Sequence, residues 1–555
     1  MSVPTAELTA PAVAAPRRAP TAALARHFAG TRLYLVLAAL ALVLAALSLL
    51  IPSTPSYDPW AWLVWGREIV HLNLHTTGGP TWKPLPVIFT TLFAPFGKAA
   101  PDLWLVVARA GAVMATAMVF KVSWRLTRVL GSRLVDADAG AGATARRTIL
   151  LGPALLAGVI AAISLVFSGG FISDNALGYS EGLMTALVLI AVDRHLDGNY
   201  RQAFAVAFAA ALDRPEIWVF WGPYGLWLWW KDPGARKLVI GLFALIPVLW
   251  FLPEYWGSGH FLRGVNRAQH PRSNSPAFAS CPFCTELADH AWPTVLLRVK
   301  VVAALAVGAA GFILWRGLRS AGRWRLTSSR EHALAGLITA GLLGVGWWVL
   351  IGIMTQAGFS GNNRYLVLGA ALIEIAGGVG WGWAALKLGG AVRRSVRARS
   401  GGTDRLPAQA TVWSAVAALA VCFALIPSWV ANNLIDVPRT HRALVYQAHL
   451  REDIGAAVSR LGGRAKVLRC GTVMTEGFQV PMLAWTLGVH TLAVQASPLN
   501  DRKPGSAPNV IFQTRAQRHS SLLPRVRDWP SVHYMLVAHV RSFRVYASCA
   551  GKVTL

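Results

Sequence analysis

Long apolar runs, recurring along most of the chain, constrain what it can fold into more than any other feature. Eleven are found, at about 31–51, 102–123, 149–167, 178–194, 201–213, 216–230, 238–253, 294–316, 332–354, 365–386 and 409–430. A membrane-spanning helix needs roughly 20 mostly apolar residues; the fourth to seventh runs are short for that. Composition points the same way. Charged residues make up 14% and hydrophobic residues 54%, whereas a water-soluble domain carries about 25% charged residues. The polar surface is too small to cover the apolar content in water, and that content excludes a disordered chain despite a net charge of +28. The expectation is an α-helical polytopic membrane protein with membrane lipid as its surroundings. No internal repeat stands out, which argues against a transporter built from inverted halves.

The positive charge is distributed as topology requires. Arg17, Arg18 and Arg26 precede the first run, and Arg125, Arg128, Arg133, Arg146 and Arg147 follow the second. Lys231, Arg236 and Lys237, then Arg316 to Arg330, then Lys387 to Arg405, form the later clusters. Short cytoplasmic loops collect Lys and Arg, and with eleven spans every cluster falls on the cytoplasmic side. This predicts a cytoplasmic tail over 1–30, a transmembrane region over 31–430 and an extracytoplasmic domain over 431–555. The first run lies too deep and lacks a small-x-small cleavage site, so it reads as a retained span. Nucleic acid is not an expected partner, because the basic residues sit between spans rather than in a stripe on a soluble fold.

The tail reads as a small α/β unit. Helices are expected at about 440–462 and 480–487, a strand at Lys466–Cys470, and further strands at 490–494, 510–513, 532–540 and 543–548. Cys281 and Cys284 fall in the outer segment 254–293 and Cys470 and Cys549 in the tail, where disulfides persist. A zinc half-site is the other reading of Cys281 and Cys284, but no second CxxC is present.

Polar residues gathered on one side of a polytopic protein mark where to seek function. The first outer segment, 52–101, holds Asp58, Arg67, Glu68 and the run Trp82-Lys83-Pro84-Leu85-Pro86. Asp58 fits two roles: with Pro59 it is a good helix N-cap pair, and at a membrane boundary fenced by Trp60, Trp62 and Trp65 it is a partly desolvated carboxylate suited to general-base work. Glu68 is an acceptor contact, a partner of Arg67, or solvated. In the segment 168–178 Asp174 is a second acid, a sugar-hydroxyl ligand, or a helix cap. The sequence assigns no cofactor and leaves a divalent metal open, with Asp174 as its candidate ligand. His260 and Arg263, in the outer loop 254–293, are placed to touch an acceptor.

Asp58, followed about 25 residues later by Trp82-Lys83-Pro84-Leu85-Pro86, then Phe96-Gly97, Leu103-Trp104 and Val107-Ala108-Arg109-Ala110, resembles the first outer loop of the GT-C superfamily of membrane glycosyltransferases. Those dependent on polyprenyl-phosphate sugars, such as protein O-mannosyltransferases and aminoarabinose transferases, have an acidic residue after the first span and a Lys-Pro-Pro-Leu motif. Here the motif reads Lys-Pro-Leu-Pro and the acidic pair is Asp-Pro. Asp213-Arg214-Pro215-Glu216 looks like the Arg-Pro-Glu turn between their middle spans, and Arg364-Tyr365 like the pair that opens a late span.

The resemblance implies a GT-C-like fold and an inverting transfer of a sugar from a polyprenyl-phosphate donor to an envelope glycan, glycolipid or glycoprotein outside a bacterial cytoplasmic membrane. Asp58 would be the base. Arg364, then Lys83, then Arg298 would meet the donor phosphate, because cations must be in place where negative charge develops, and Tyr365 would contact substrate. Two other classes stay open: a transporter or flippase for a lipid-linked sugar, and a glycan ligase using a lipid pyrophosphate.

Overall fold

The computed structural model describes residues 20–136, 143–273, 275–400, 406–423, 437–498 and 505–549. Each of the eleven expected runs coincides with a helix. These are α1 (Pro20–Leu47), α4 (Ala100–Asp136), α5 (Ala143–Val166), α7 (Glu181–Leu196), α8 (Tyr200–Ala211), α9 (Trp218–Lys231), α10 (Arg236–Ser258), α14 (Leu297–Ser320), α15 (Ser329–Gln356), α16 (Val367–Ser400) and α17 (Leu406–Phe423). Among the described residues seven segments are long and apolar enough to cross a membrane. α7, α8 and α9, at 16, 12 and 14 residues, fall short of that length. Arg17, Arg18, Arg405 and the end of the last expected span (424–430) lie outside the described residues.

Between the long helices run the short α2 (Tyr57–Val70), α3 (Pro84–Phe93), α6 (Phe171–Ala176), α11 (Arg263–Ala268), α12 (Pro282–Thr285) and α13 (Trp292–Thr294). All lie in the segments 52–101, 168–178 and 254–293, which with the tail build one face of the molecule, called here the loop face.

α16 is the central helix. Its apolar segment is 94% buried, against 11% for that of α1, because glycines let its neighbours approach. A Cβ on Gly378 would come within 2.4 Å of the Ala157 carbonyl oxygen on α5, and one on Gly377 within 2.4 Å of Val299 on α14. Without water to drive association in a bilayer, small residues that permit such contact supply the packing. The 3₁₀ turn Asn363–Leu366 that leads into α16 is fixed from α15 by two indoles: Trp347 Nε1 donates to the Tyr365 carbonyl at 2.7 Å and Trp348 Nε1 to that of Leu366 at 3.0 Å.

The tail forms a six-stranded mixed sheet in the order β2 (Val494–Ala496), β1 (Val473–Thr475), β3 (Val510–Arg515), β6 (Arg544–Ala547) and β5 (Met535–His539), with β4 (Leu522–Leu523) beside β3. β1 runs parallel to β2 and β3; the remaining pairs are antiparallel. The expected strand at Lys466–Cys470 is instead a helix, Arg464–Cys470, and the strand it foreshadowed lies just beyond, at β1. Residues 464–470 bury only Val467 and Cys470, a spacing of three that suits a helix face rather than the alternation of a strand. Cys281 and Cys284 are at disulfide-bonding distance, as are Cys470 and Cys549.

The tail docks on the first loop rather than standing apart. Arg67 of α2 donates to the carbonyls of Trp485 (3.1 Å) and Val489 (2.7 Å), and Arg451 on the helix Val437–Arg460 pairs with Asp102 at 2.6 Å.

Candidate functional site

The starts of five elements converge on the loop face around a cavity of about 590 Å³. Each start is set by local chemistry. Ser56 occupies the N-cap position of α2, placing Asp58 in its first turn ahead of Pro59. Lys83 is extended (φ −140°, ψ 110°) because Pro84 follows, and Pro84 opens α3. Arg214 is extended before Pro215 for the same reason. Glu181 is the first residue of α7, and Arg364 lies in the 3₁₀ turn Asn363–Leu366 that leads into α16.

The charged groups form one network. Arg364 donates to Asp58 Oδ2 at 2.7 Å across 306 residues of sequence. Its Nε lies 3.3 Å from Glu181 Oε1 without hydrogen-bond geometry, so Glu181 holds it by charge. Glu181 also takes Arg214 at 2.5 Å and Lys83 at 3.8 Å, and Arg214 reaches Glu216 at 3.0 Å. Lys83 donates to Ser180 Oγ at 3.2 Å and stands over the Trp62 ring. Both guanidiniums lie on aromatic faces, Arg214 on Tyr365 at 3.7 Å and Arg364 on Tyr179 at 3.9 Å. Such stacking desolvates a cation while leaving its N–H edge for an anion. Buried groups without a hydrogen-bond partner among the described residues concentrate here: both oxygens of Asp213, Oε2 of Glu181 and of Glu216, and Nε of Arg214.

The rest of the cavity comes from further off in sequence. Glu254, Arg267, Arg272 and His290 line it from the loop 254–293, Asn362 and Asn363 from before α16, and Phe478 from the tail. Arg272 stacks on Phe478 at 3.7 Å, so the tail supplies part of the wall. The Glu286 carboxylate 3.1 Å from His290 raises that imidazole's pKa above its usual value.

Asp58, Lys83, Arg364 and Tyr365 therefore come together, as the sequence reading expects. The capping reading of Asp58 falls, since Ser56 takes that position. The tryptophan fence is also absent: Trp62 lies under Lys83, Trp60 belongs to another cavity, and the carboxylate's partner is a guanidinium.

Five other expectations are corrected. Arg298 does not line the cavity; it donates to the Val421 and Cys422 carbonyls at the end of α17, at 3.4 and 3.3 Å. Arg263 is buried, donating to the carbonyls of Thr77, Gly79 and Pro80, so it braces the first loop instead of meeting substrate. His260 is exposed and outside the cavity lining. Glu68 points to the tail, accepting from the His75 backbone N–H at 2.9 Å and pairing with His490 at 2.8 Å. Asp174 lies inside α6 and caps nothing, α7 having Ser180 at its N-cap. Asp174 is absent from the cavity lining, and burial pushes its carboxyl up to about 7 against the opposing charge of Arg364.

Sequence reasoning met Arg214 only as part of a turn motif and gave Glu181 no role. The signal was the extended residue that each Pro imposes before it, which aims Arg214 as it aims Lys83. Arg267, Arg272, His290 and Phe478 carried no such signal. Among the described residues no group of three or more His, Cys, Asp or Glu is placed to hold a metal ion.

No family model matches the chain, and no curated protein matches it. Among solved structures, ArnT from Cupriavidus metallidurans in the apo state is similar at 14% identity with a TM-score of 0.44, covering 95% of this chain and 100% of that one. At that identity and score the likeness carries no argument about what this chain does.

Proposed function

We propose that the chain is an inverting membrane glycosyltransferase of GT-C type. It would move a sugar from a polyprenyl-phosphate donor to an envelope glycan, lipid or protein on the extracytoplasmic side, which is the loop face. The observation that carries this reading is the Asp58–Arg364 pair at 2.7 Å, with Lys83 in the same cavity. A carboxylate and two cations from three distant segments, in an opening large enough for a glycosyl phosphate, match what the transfer demands.

In the proposed step, an acceptor hydroxyl attacks the anomeric carbon from the face opposite the phosphate. The acceptor oxygen forms its bond to that carbon as the bond to the phosphate oxygen breaks. Asp58 takes the hydroxyl proton, and the bonding pair leaves with the polyprenyl phosphate, whose added negative charge meets Arg364 and Lys83. Asp58 and Glu181 neutralise Arg364. An arriving phosphate competes with Asp58 for that guanidinium, as a bidentate acceptor does well, and frees the carboxylate beside the reacting carbon. Donor binding thus releases the base. Glu181 stays behind the cations as the anchor that keeps three of them in one place.

Purified protein given radiolabelled polyprenyl-phosphate sugars and envelope acceptors should transfer label. Asp58→Asn should reduce transfer by about a hundred- to ten-thousandfold while still binding donor. Full activity in that variant removes Asp58 as the base; passage of an intact lipid-linked glycan across proteoliposomes, with no sugar transferred, removes the enzyme class.

A further inference from the structure

A second, larger cavity lies in the seam between the first loop and the tail, about 1030 Å³ in volume. It shares α2 with the site above: Asp58 lines one cavity and Trp60, two residues on, lines the other. Four cations face it, Arg67, Lys98, Arg451 and Arg464. Arg451 is neutralised by Asp102, and the cavity's carboxylate, Glu68, is engaged by His490. Lys98 and Arg464 make no hydrogen bond or ion pair among the described residues. Burial and the nearby charge of Arg464 both lower the pKa of Arg67 against the opposing effect of Glu68. The cavity is therefore a concentration of uncompensated positive charge, which an anion would relieve.

Two further features specify the anion. The Trp60 ring pairs with that of Trp485 at 6.2 Å, and Trp60 is 3% exposed with an Nε1 that has no hydrogen-bond partner among the described residues. A buried, unmatched donor in a basic cavity suits a phosphate oxygen. The mouth, at Ala94, Gly97 and Lys98, lies in the turn that enters the long apolar helix α4. Beside it Leu92 and Phe96 are 64% and 62% exposed. Apolar side chains so exposed at the end of a membrane-spanning helix belong against acyl chains, with a cation at headgroup level.

We propose that this seam binds an anionic phospholipid drawn from the leaflet on the loop face. Its phosphate lies among Lys98, Arg464, Arg67 and the Trp60 N–H, and its acyl chains run over Leu92 and Phe96. The bound lipid also joins the two parts of the molecule, since Lys98 belongs to the first loop and Arg464 to the tail.

The test uses the purified full-length chain in neutral detergent, titrated with phosphatidylglycerol or phosphatidylcholine. Bound lipid is counted by native mass spectrometry and affinity read from the shift in melting temperature. Phosphatidylglycerol should bind at one site and raise the melting temperature, and phosphatidylcholine should not. Lys98→Glu with Arg464→Glu should weaken binding roughly thirtyfold, and Trp60→Phe, which keeps the ring and loses the donor, a few-fold. Should the double charge reversal also melt lower without lipid, Lys98→Arg with Arg464→Lys must bind normally. The proposal is overturned by unchanged affinity in the charge-reversed protein, by equal binding of phosphatidylcholine, or by inorganic phosphate shifting the melting temperature as far as the lipid does. None of these readouts needs turnover, so they stand or fall apart from the transferase reading.

Discussion

One helix, α7, carries a buried carboxylate near each end, and the two collect the same kind of company. At its start Glu181 gathers Lys83, Arg214 and Arg364. Twelve residues on, about 18 Å along the axis, Asp193 gathers Lys121, Arg125 at 2.8 Å and Arg194 at 3.8 Å, with Tyr34 donating to it as well. The difference is in how the charges finish. Both Asp193 oxygens accept hydrogen bonds, Asp197 takes up Arg125 and Arg194, and neither cavity described above is lined by any of these residues. Glu181 leaves Oε2 without a partner among the described residues, and the cations it holds face a cavity. A buried ion cluster that satisfies itself fastens helices α1, α4 and α7 together. One that leaves donors and acceptors unmatched beside an opening is arranged for a ligand.

The largest effect expected from that contrast is on stability. Asp193→Ala leaves Lys121 without a carboxylate and takes one from Arg125 and Arg194, which keep Asp197; it should cost about 3 to 5 kcal/mol, read as a fall in melting temperature of the detergent-solubilised protein. The same loss at Glu181 leaves Arg214 on Glu216, Arg364 on Asp58 and Lys83 on the Ser180 hydroxyl, and should lower the melting temperature far less. If the two truncations destabilise equally, the distinction between fastening and site is wrong.

Next in size is Arg364→Lys, which keeps the charge and loses the planar fork. Transfer should fall about ten- to a hundredfold through kcat, whereas Arg125→Lys at the other cluster should leave kcat within about twofold. A kcat in Arg364→Lys close to that of the unaltered enzyme would mean that bidentate contact with the leaving phosphate is not part of the reaction.

A smaller effect concerns Asp174, behind the Glu181 cluster. Its carboxyl is raised from 3.8 to about 7, so the folded protein binds a proton that the unfolded chain releases. That contribution to stability is complete below pH 4 and is lost as pH rises to about 7. Asp174→Asn should therefore gain on the unaltered protein in melting temperature between pH 4 and 7 and hold that gain above, by about 2 kcal/mol once solvent screening in the loop is counted. A gap that does not change with pH would show that the Asp174 carboxyl titrates alike in the folded and unfolded chain.

The contrast also explains what could be read in advance. Helix positions were legible throughout the bundle because apolar length is a local property, whereas Asp58, Lys83 and Arg364 were singled out by the resemblance of their motifs rather than by any property of the residues alone. Arg298 and Arg263 misled for one physical reason. Long cationic side chains near a membrane boundary satisfy themselves on backbone carbonyls, here those of residues 421–422 and 77–80, and sequence does not show which carbonyls will be in reach. The helix at Arg464–Cys470 misled because its Val and Leu content suits a strand while its burial follows every third residue. Glu181 and Asp193 look alike in sequence, as acids near the ends of one apolar helix; only the tertiary surroundings separate them.

The smallest expected effect probes how far the tail belongs to the site. Phe478 covers one face of Arg272, whose guanidinium also lies 5.9 Å from the Tyr57 ring beside Asp58. Phe478→Ala removes a cation–π contact worth about 1 kcal/mol, and Arg272 gains freedom to leave the cavity wall. In the proposed reaction the donor phosphate meets Arg364 and Lys83, so donor binding should be unchanged. On the same reading the wall that Phe478 and Arg272 supply is left for the acceptor, so its KM should rise about fivefold with kcat held, and Phe478→Tyr, which keeps the stacked ring, should restore it. A change in donor KM instead would place Arg272 with the phosphate cations and make the tail part of the donor site. No change in either KM would leave the tail a neighbour of the reaction, docked on the first loop through residues such as Arg67 and His490.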